Sequence, residues 1–177
     1  MGVGLTVVVT KLSSPGPAPS PPPGVVYPSP GDTSSGGQGQ TVDGIQCNAG
    51  EMLNFHVHAH LTILRNGKQV LVPPYIGIVD NTCLYWLHTH DDSGIIHMEA
   101  PTERTFNLRQ LFDIWGYPLS ATGVATYDVP NGDLTVFVDG KQWTGDPYDI
   151  ELVSHTQVVI ELGTVVPPPP YVFPAGD

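Results

Sequence analysis

The chain has 177 residues, 40% of them hydrophobic, which suits one globular domain with a real core and is short for two. Only 13% are charged, and 17 acidic residues against 6 basic ones give a formal net charge of -11. Such a chain has no basic footprint for nucleic acid, and its charge suits cations instead.

The opening segment, MGVGLTVVVTKL (residues 1–12), carries an apolar run without a basic leader. It is short for a complete secretion signal and for the ~20 residues that span a bilayer. No transmembrane span is therefore expected in this chain. The β-branched Val7, Val8 and Val9 predict a strand-like element, with a signal or anchor remnant as the alternative. Residues 13–41 form a Pro/Gly/Ser-rich linker, extended where proline dominates and flexible where glycine and serine do. An apolar strand on such a leash can pair within its own domain or add to a neighbour's sheet, so a homo-oligomer or filament is one expectation.

A compact domain is expected over residues 42–166, followed by a proline-rich tail, residues 167–177. LNFHVHAHLTIL and RNGKQVLVP predict a hairpin with Asn66 and Gly67 in a type I′ turn. CLYWLHTH reads as a strand, and GIIHMEA as another after the turn DDSG. NLRQLFDIWG predicts a helix: Asn107 is a natural N-cap, Gln110 completes a capping box, and Gly116 stops it. Leu108, Leu111, Phe112 and Trp115 form one buried stripe on that helix. DLTVFV and KQWTG make a second hairpin around Asp139 and Gly140, and TQVVIELGTVV is the last strand. The pattern predicts an α+β fold, a mainly antiparallel sheet holding one helix in β-grasp-like fashion. A small β-sandwich or barrel is the alternative.

Six of the seven histidines fall in two short apolar stretches. His56, His58 and His60 alternate, so on a strand they share one face at a spacing of about 7 Å. Phe55, Val57, Ala59 and Leu61 take the other face. His88 and His90 repeat the design, and His97 shares a face with Glu99 while Ile96 and Met98 point to the core. Imidazole is the commonest protein ligand of zinc and copper, and an i, i+2 pair on a strand can share an ion with a neighbouring strand. His56, His58, His60, His88, His90 and His97 are therefore the candidate ligands of a copper or zinc ion. Asp91, Asp92 and Glu99 are candidate partners for the far ring nitrogens, or general bases if the centre is catalytic. Calcium fits this nitrogen-rich set less well. His155 stands apart and is read as structural. Cys47 and Cys83 each precede a histidine-rich stretch; a disulfide would tie the stretches together and suit an exported protein, and two buried thiols are the alternative.

HVHAHLTIL, NGKQVLVPPYIGI, CLYWLHTHDDSGIIHMEAP, TFNLRQLFDIWG and VFVDGKQW together resemble a family of small exported or membrane-tethered bacterial and archaeal proteins of uncharacterised function. The resemblance covers about residues 42–163 and implies an extracytoplasmic prokaryotic domain at the cell surface. LHTH is also similar to the HxH of cupins, although DDSGII stands where cupins carry a glutamate. Three functions follow as expectations: an extracytoplasmic metal-binding protein, a surface or filament subunit assembled by strand donation, and a metal-dependent hydrolase or oxidase.

Overall fold

The computed structural model describes residues 31–80, 82–129 and 134–177. The apolar segment 1–12 and the first part of the linker lie outside the described residues. In chain order the strands are β1 (Cys47–Asn48), β2 (Phe55–Arg65), β3 (Lys68–Val70), β4 (Ile78–Val79), β5 (Cys83–Tyr85), β6 (Leu87–His88), β7 (Ile95–Ala100) and β8 (Phe106–Asn107). The helix α1 (Leu108–Trp115) follows, then β9 (Leu119–Ser120), β10 (Gly123–Val124), β11 (Tyr127–Asp128), β12 (Leu134–Val138), β13 (Lys141–Trp143), β14 (Glu151–Leu152) and β15 (Gln157–Leu162). The fold is α+β, dominated by sheet, with a single α-helix and a short 3-10 turn at Pro147–Asp149 among the described residues.

The main sheet runs β13-β12-β15-β2-β7-β6, with β3 paired to the far half of β2. All its pairs are antiparallel except β2 with β15, which run parallel at the centre. The eleven residues of β2 serve two neighbours on one side: Phe55 to His60 pair with β7, and Ile63 to Arg65 with β3. Gly94 makes the handover possible. Its carbonyl accepts from Leu61 N at 2.9 Å, its φ is +88°, and a Cβ there would sit 2.3 Å from the Leu61 oxygen.

Both hairpin turns form as their residues require. Asn66 and Gly67 have φ of 50° and 72°, Asp139 and Gly140 50° and 74°, the left-handed pair of a type I′ turn. Helix α1 carries the expected ends: Asn107 accepts from Gln110 N, the Gln110 side chain returns to Asn107 N, and Gly116 closes the helix at φ 81°. Its Leu108, Leu111, Phe112, Ile114 and Trp115 join Ala59, Leu61, Leu87, Ile96 and Met98 in one buried core. The apolar faces of β2, β6 and β7 thus look toward the helix side, and alternation turns their histidines to the opposite face.

CLYWLHTH is not one strand. It divides at Trp86, with β5 in a small sheet between β1 and β4, and β6 on the edge of the main sheet. Tyr85, Trp86 and Leu87 are all buried in succession, which a single two-faced strand cannot do. Trp86 holds the junction: its N–H donates to Gln46 O, its carbonyl accepts from Glu99 N, and its indole N–H donates to Asn48 Oδ1 at 2.6 Å. A disulfide joins Cys47 to Cys83 and locks β1 beside β5.

The described end of the linker packs onto the helix. Gly37 N donates to Ile114 O, the Trp115 indole donates to Asp32 O at 2.8 Å, and the Tyr85 hydroxyl donates to Gln40 O. The tail also lies against the sheet, held by Gln157, whose side chain bonds both Tyr171 N and Tyr171 O at 2.9 Å.

Candidate metal centre

Register brings the histidines together. On β2 and β7, His58 stands opposite His97 and His56 opposite Glu99; on β6 and β7, His88 stands opposite His97. A row His58–His97–His88 therefore crosses three adjacent strands on one face. His56 and Glu99 occupy the next row, and His90 enters from just beyond β6.

The nitrogens converge. His56 Nε2 lies 3.1 Å from His58 Nε2, His58 Nε2 lies 3.1 Å from His97 Nδ1, and His88 Nε2 lies 3.1 Å from His90 Nε2. They fall into two triads, His56/His58/His97 and His88/His90/His97, each spanning no more than 4.8 Å and sharing His97. Glu99 sits among them. Its Oε1 is 3.3 Å from His56 Nε2, 3.7 Å from His97 Nδ1 and 3.8 Å from His88 Nε2. Glu99 is 2% exposed, and Oε1 has no hydrogen-bond partner of acceptable geometry. A buried carboxylate oxygen without a hydrogen bond is costly unless a cation meets it.

These spacings fit a metal ion. Ligand atoms ~2.0–2.1 Å from a tetrahedral ion lie ~3.3 Å from one another. Most of the separations above cluster around that edge length. His88 is also set in a useful tautomer: its Nδ1 donates to Tyr85 O at 2.8 Å, which leaves the Nε2 lone pair facing the cluster. Burial holds His88 down to a pKa of about 4, and burial together with the neighbouring His97 does the same for His58. Burial and His97 lower His90 as well. Burial works to raise Glu99, but the His97, His88 and His56 imidazoles outweigh it and leave the carboxyl below its ordinary value. At neutral pH His58, His88 and His90 thus offer lone pairs and Glu99 a negative charge, the forms a cation requires.

The remaining candidates sit elsewhere. His60 is buried, but its Nε2 donates to Ser93 O at 2.9 Å and its ring stacks on Tyr171 at 3.5 Å between centroids. It belongs to neither triad. Asp91 accepts from Ser93 N at 2.9 Å and so closes the turn before β7, while Asp92 is exposed. Glu99, expected to support the ligands from behind, stands within ligand distance of them. His155 occupies a left-handed turn at φ 65° and its Nε2 donates to Asp177 O at 2.9 Å.

Two contributors carry no local signal in the sequence. Glu51 Oε1 lies 3.8 Å from His90 Nε2, brought there because the disulfide fastens Cys47 next to the strand leading to His88. The tail aromatics Tyr171 and Phe173 cover His60, with Phe173 also against His155. The cluster opens to solvent on one side: side-chain exposure rises from 0% at His88 to 32% at His56 and 41% at His90. Surface cavities of about 320 Å³ beside Asp32 and Trp115, and about 230 Å³ beside Pro168, are lined by none of these histidines.

No helix among the described residues is long and apolar enough to cross a membrane. No protein-family model matches this sequence, no curated protein is significantly similar to it, and no solved structure matches it significantly.

Proposed function

We propose that this chain is an extracytoplasmic metal-binding protein that holds copper or zinc on the histidine-bearing face of β2, β6 and β7. One observation carries the reading: two triads of imidazole nitrogens share His97, and the buried Oε1 of Glu99 lies within 3.8 Å of His56, His88 and His97. His56, His58, His88, His90, His97 and Glu99 are the ligand set. Imidazole suits copper and zinc, and a set without thiolate or thioether disfavours strictly soft sites. The disulfide supports an oxidising compartment.

Calorimetric titration of chelator-treated protein with Cu²⁺ and Zn²⁺ tests the proposal. Saturable binding of at least one ion, weakened at least tenfold in His97→Ala, is expected. Protein that ignores both ions, or binds them equally well without His97, contradicts it.

A further inference from the structure

Five imidazoles are more than one four-coordinate ion takes. Their arrangement divides them. His56 and His58 lie on β2 and form one close pair at 3.1 Å; His88 and His90, on and just past β6, form another at 3.1 Å. Strand β7 separates the two pairs, and neighbouring strands lie about 4.8 Å apart. The pairs therefore approach from opposite sides of β7, and only β7 residues face both.

Two β7 side chains do so. His97 is the member common to both triads. Glu99 Oε1 is 3.3 Å from His56 Nε2 on one side and 3.8 Å from His88 Nε2 on the other. It is buried to 2% exposure, and no donor meets Oε1 with hydrogen-bond geometry, so the fold places a carboxylate oxygen between two sets of imidazole nitrogens. A carboxylate in that position can bind a metal on either side, and its charge moderates the repulsion between two cations. A second carboxylate, Glu51, stands 3.8 Å from His90 on the smaller of the two sets.

Building on the metal-binding reading above, we propose that the cluster is a two-ion centre for divalent copper or zinc, with Glu99 as the carboxylate between the ions. His56, His58 and His97 serve one ion. His88 and His90 serve the other, with Glu51 as its outer carboxylate. Glu99 is thus a ligand of both ions rather than a support behind one of them.

Cu²⁺ loading of the full chain, followed by removal of excess copper, elemental analysis and electron paramagnetic resonance, tests this. Wild type should hold two copper ions per chain, with an integrated signal below the total copper or with a half-field transition from spin coupling. His56→Ala/His58→Ala and His88→Ala/His90→Ala should each retain one ion with a full, uncoupled signal. Glu99→Gln, isosteric and therefore mild on the fold, should abolish the coupling or drop the count below two, and Glu99→Asp should restore part of it. One ion per wild-type chain that is lost in both pair variants overturns the two-ion centre but leaves metal binding intact. Two ions whose signals are uncoupled and indifferent to Glu99→Gln also overturn it. A chain that takes up no copper contradicts the underlying reading as well.

Discussion

Replacing both Cys47 and Cys83 with serine removes the covalent tie between β1 and β5. The two cysteines are 36 residues apart in sequence. A cross-link closing a loop of that size restricts the unfolded chain by roughly 4 kcal/mol, between the values for short and for hundred-residue loops. The enclosed loop includes β2 through β4, so the bond constrains the unfolded chain across half of the metal face. Urea unfolding of the wild type and of the double serine variant, both treated with chelator, measures the effect. With a slope of about 2 kcal/mol per molar urea, the midpoint should fall by about 2 M. The loss should reach the site too, because β1 carries Glu51 toward His90 and β5 leads into His88. Weaker metal binding at His88 and His90 should therefore accompany the lower midpoint. Equal midpoints in the two proteins would refute the role assigned to the bond, and unchanged binding would refute its link to the site.

The pH dependence of the metal-free protein has a definite sign. His60 and His88 are held by burial at about 4, below the value of about 6.5 expected in an unfolded chain. The unfolded chain therefore takes up protons first, so stability is fully present above about pH 6.5 and is lost as pH falls toward 4. Stability measured with chelator should drop across that window, by on the order of 3 kcal/mol for each buried imidazole; a flat profile would show the rings are not held neutral. Gly94→Ala should destabilise by more than about 2 kcal/mol, since it adds a Cβ at φ +88° against the Leu61 carbonyl; a melting temperature unchanged from wild type would contradict the handover geometry. Deleting residues 167–177 strips Tyr171 and Phe173 from His60. Its proton NMR titration should then shift upward toward the ordinary range, and a midpoint still near 4 would mean that the strands alone bury the ring.

Local chemistry was legible in the chain. Asn-Gly and Asp-Gly fixed two hairpin turns, and Asn107, Gln110 and Gly116 marked both ends of the helix. The alternation of His56 and His58 against Val57 and Ala59 placed the histidines on one face, because a strand's period of two admits no other arrangement. What escaped was set by distant contacts. The division of CLYWLHTH follows from the pull of β1 and the disulfide on Cys83, 36 residues away from its partner. The parallel pairing of β15 with β2 joins segments whose own patterns fit either direction equally well. His60 continues the histidine alternation, yet β7 ends opposite it at Ile95, so no β7 ligand faces it, and the tail covers it instead. Glu99 stood out as acidic and on the right face, but only the register with His56 shows that it lies among the ligands.

X-ray absorption of protein loaded with zinc or copper and freed of excess metal reads the ligand atoms of the histidine cluster themselves. A first shell of nitrogen and oxygen at about 2.0 Å is expected, with the outer-shell scattering of imidazole rings and no sulfur. A spectrum dominated by water or sulfur ligands, or protein that retains no metal for the measurement, would contradict it.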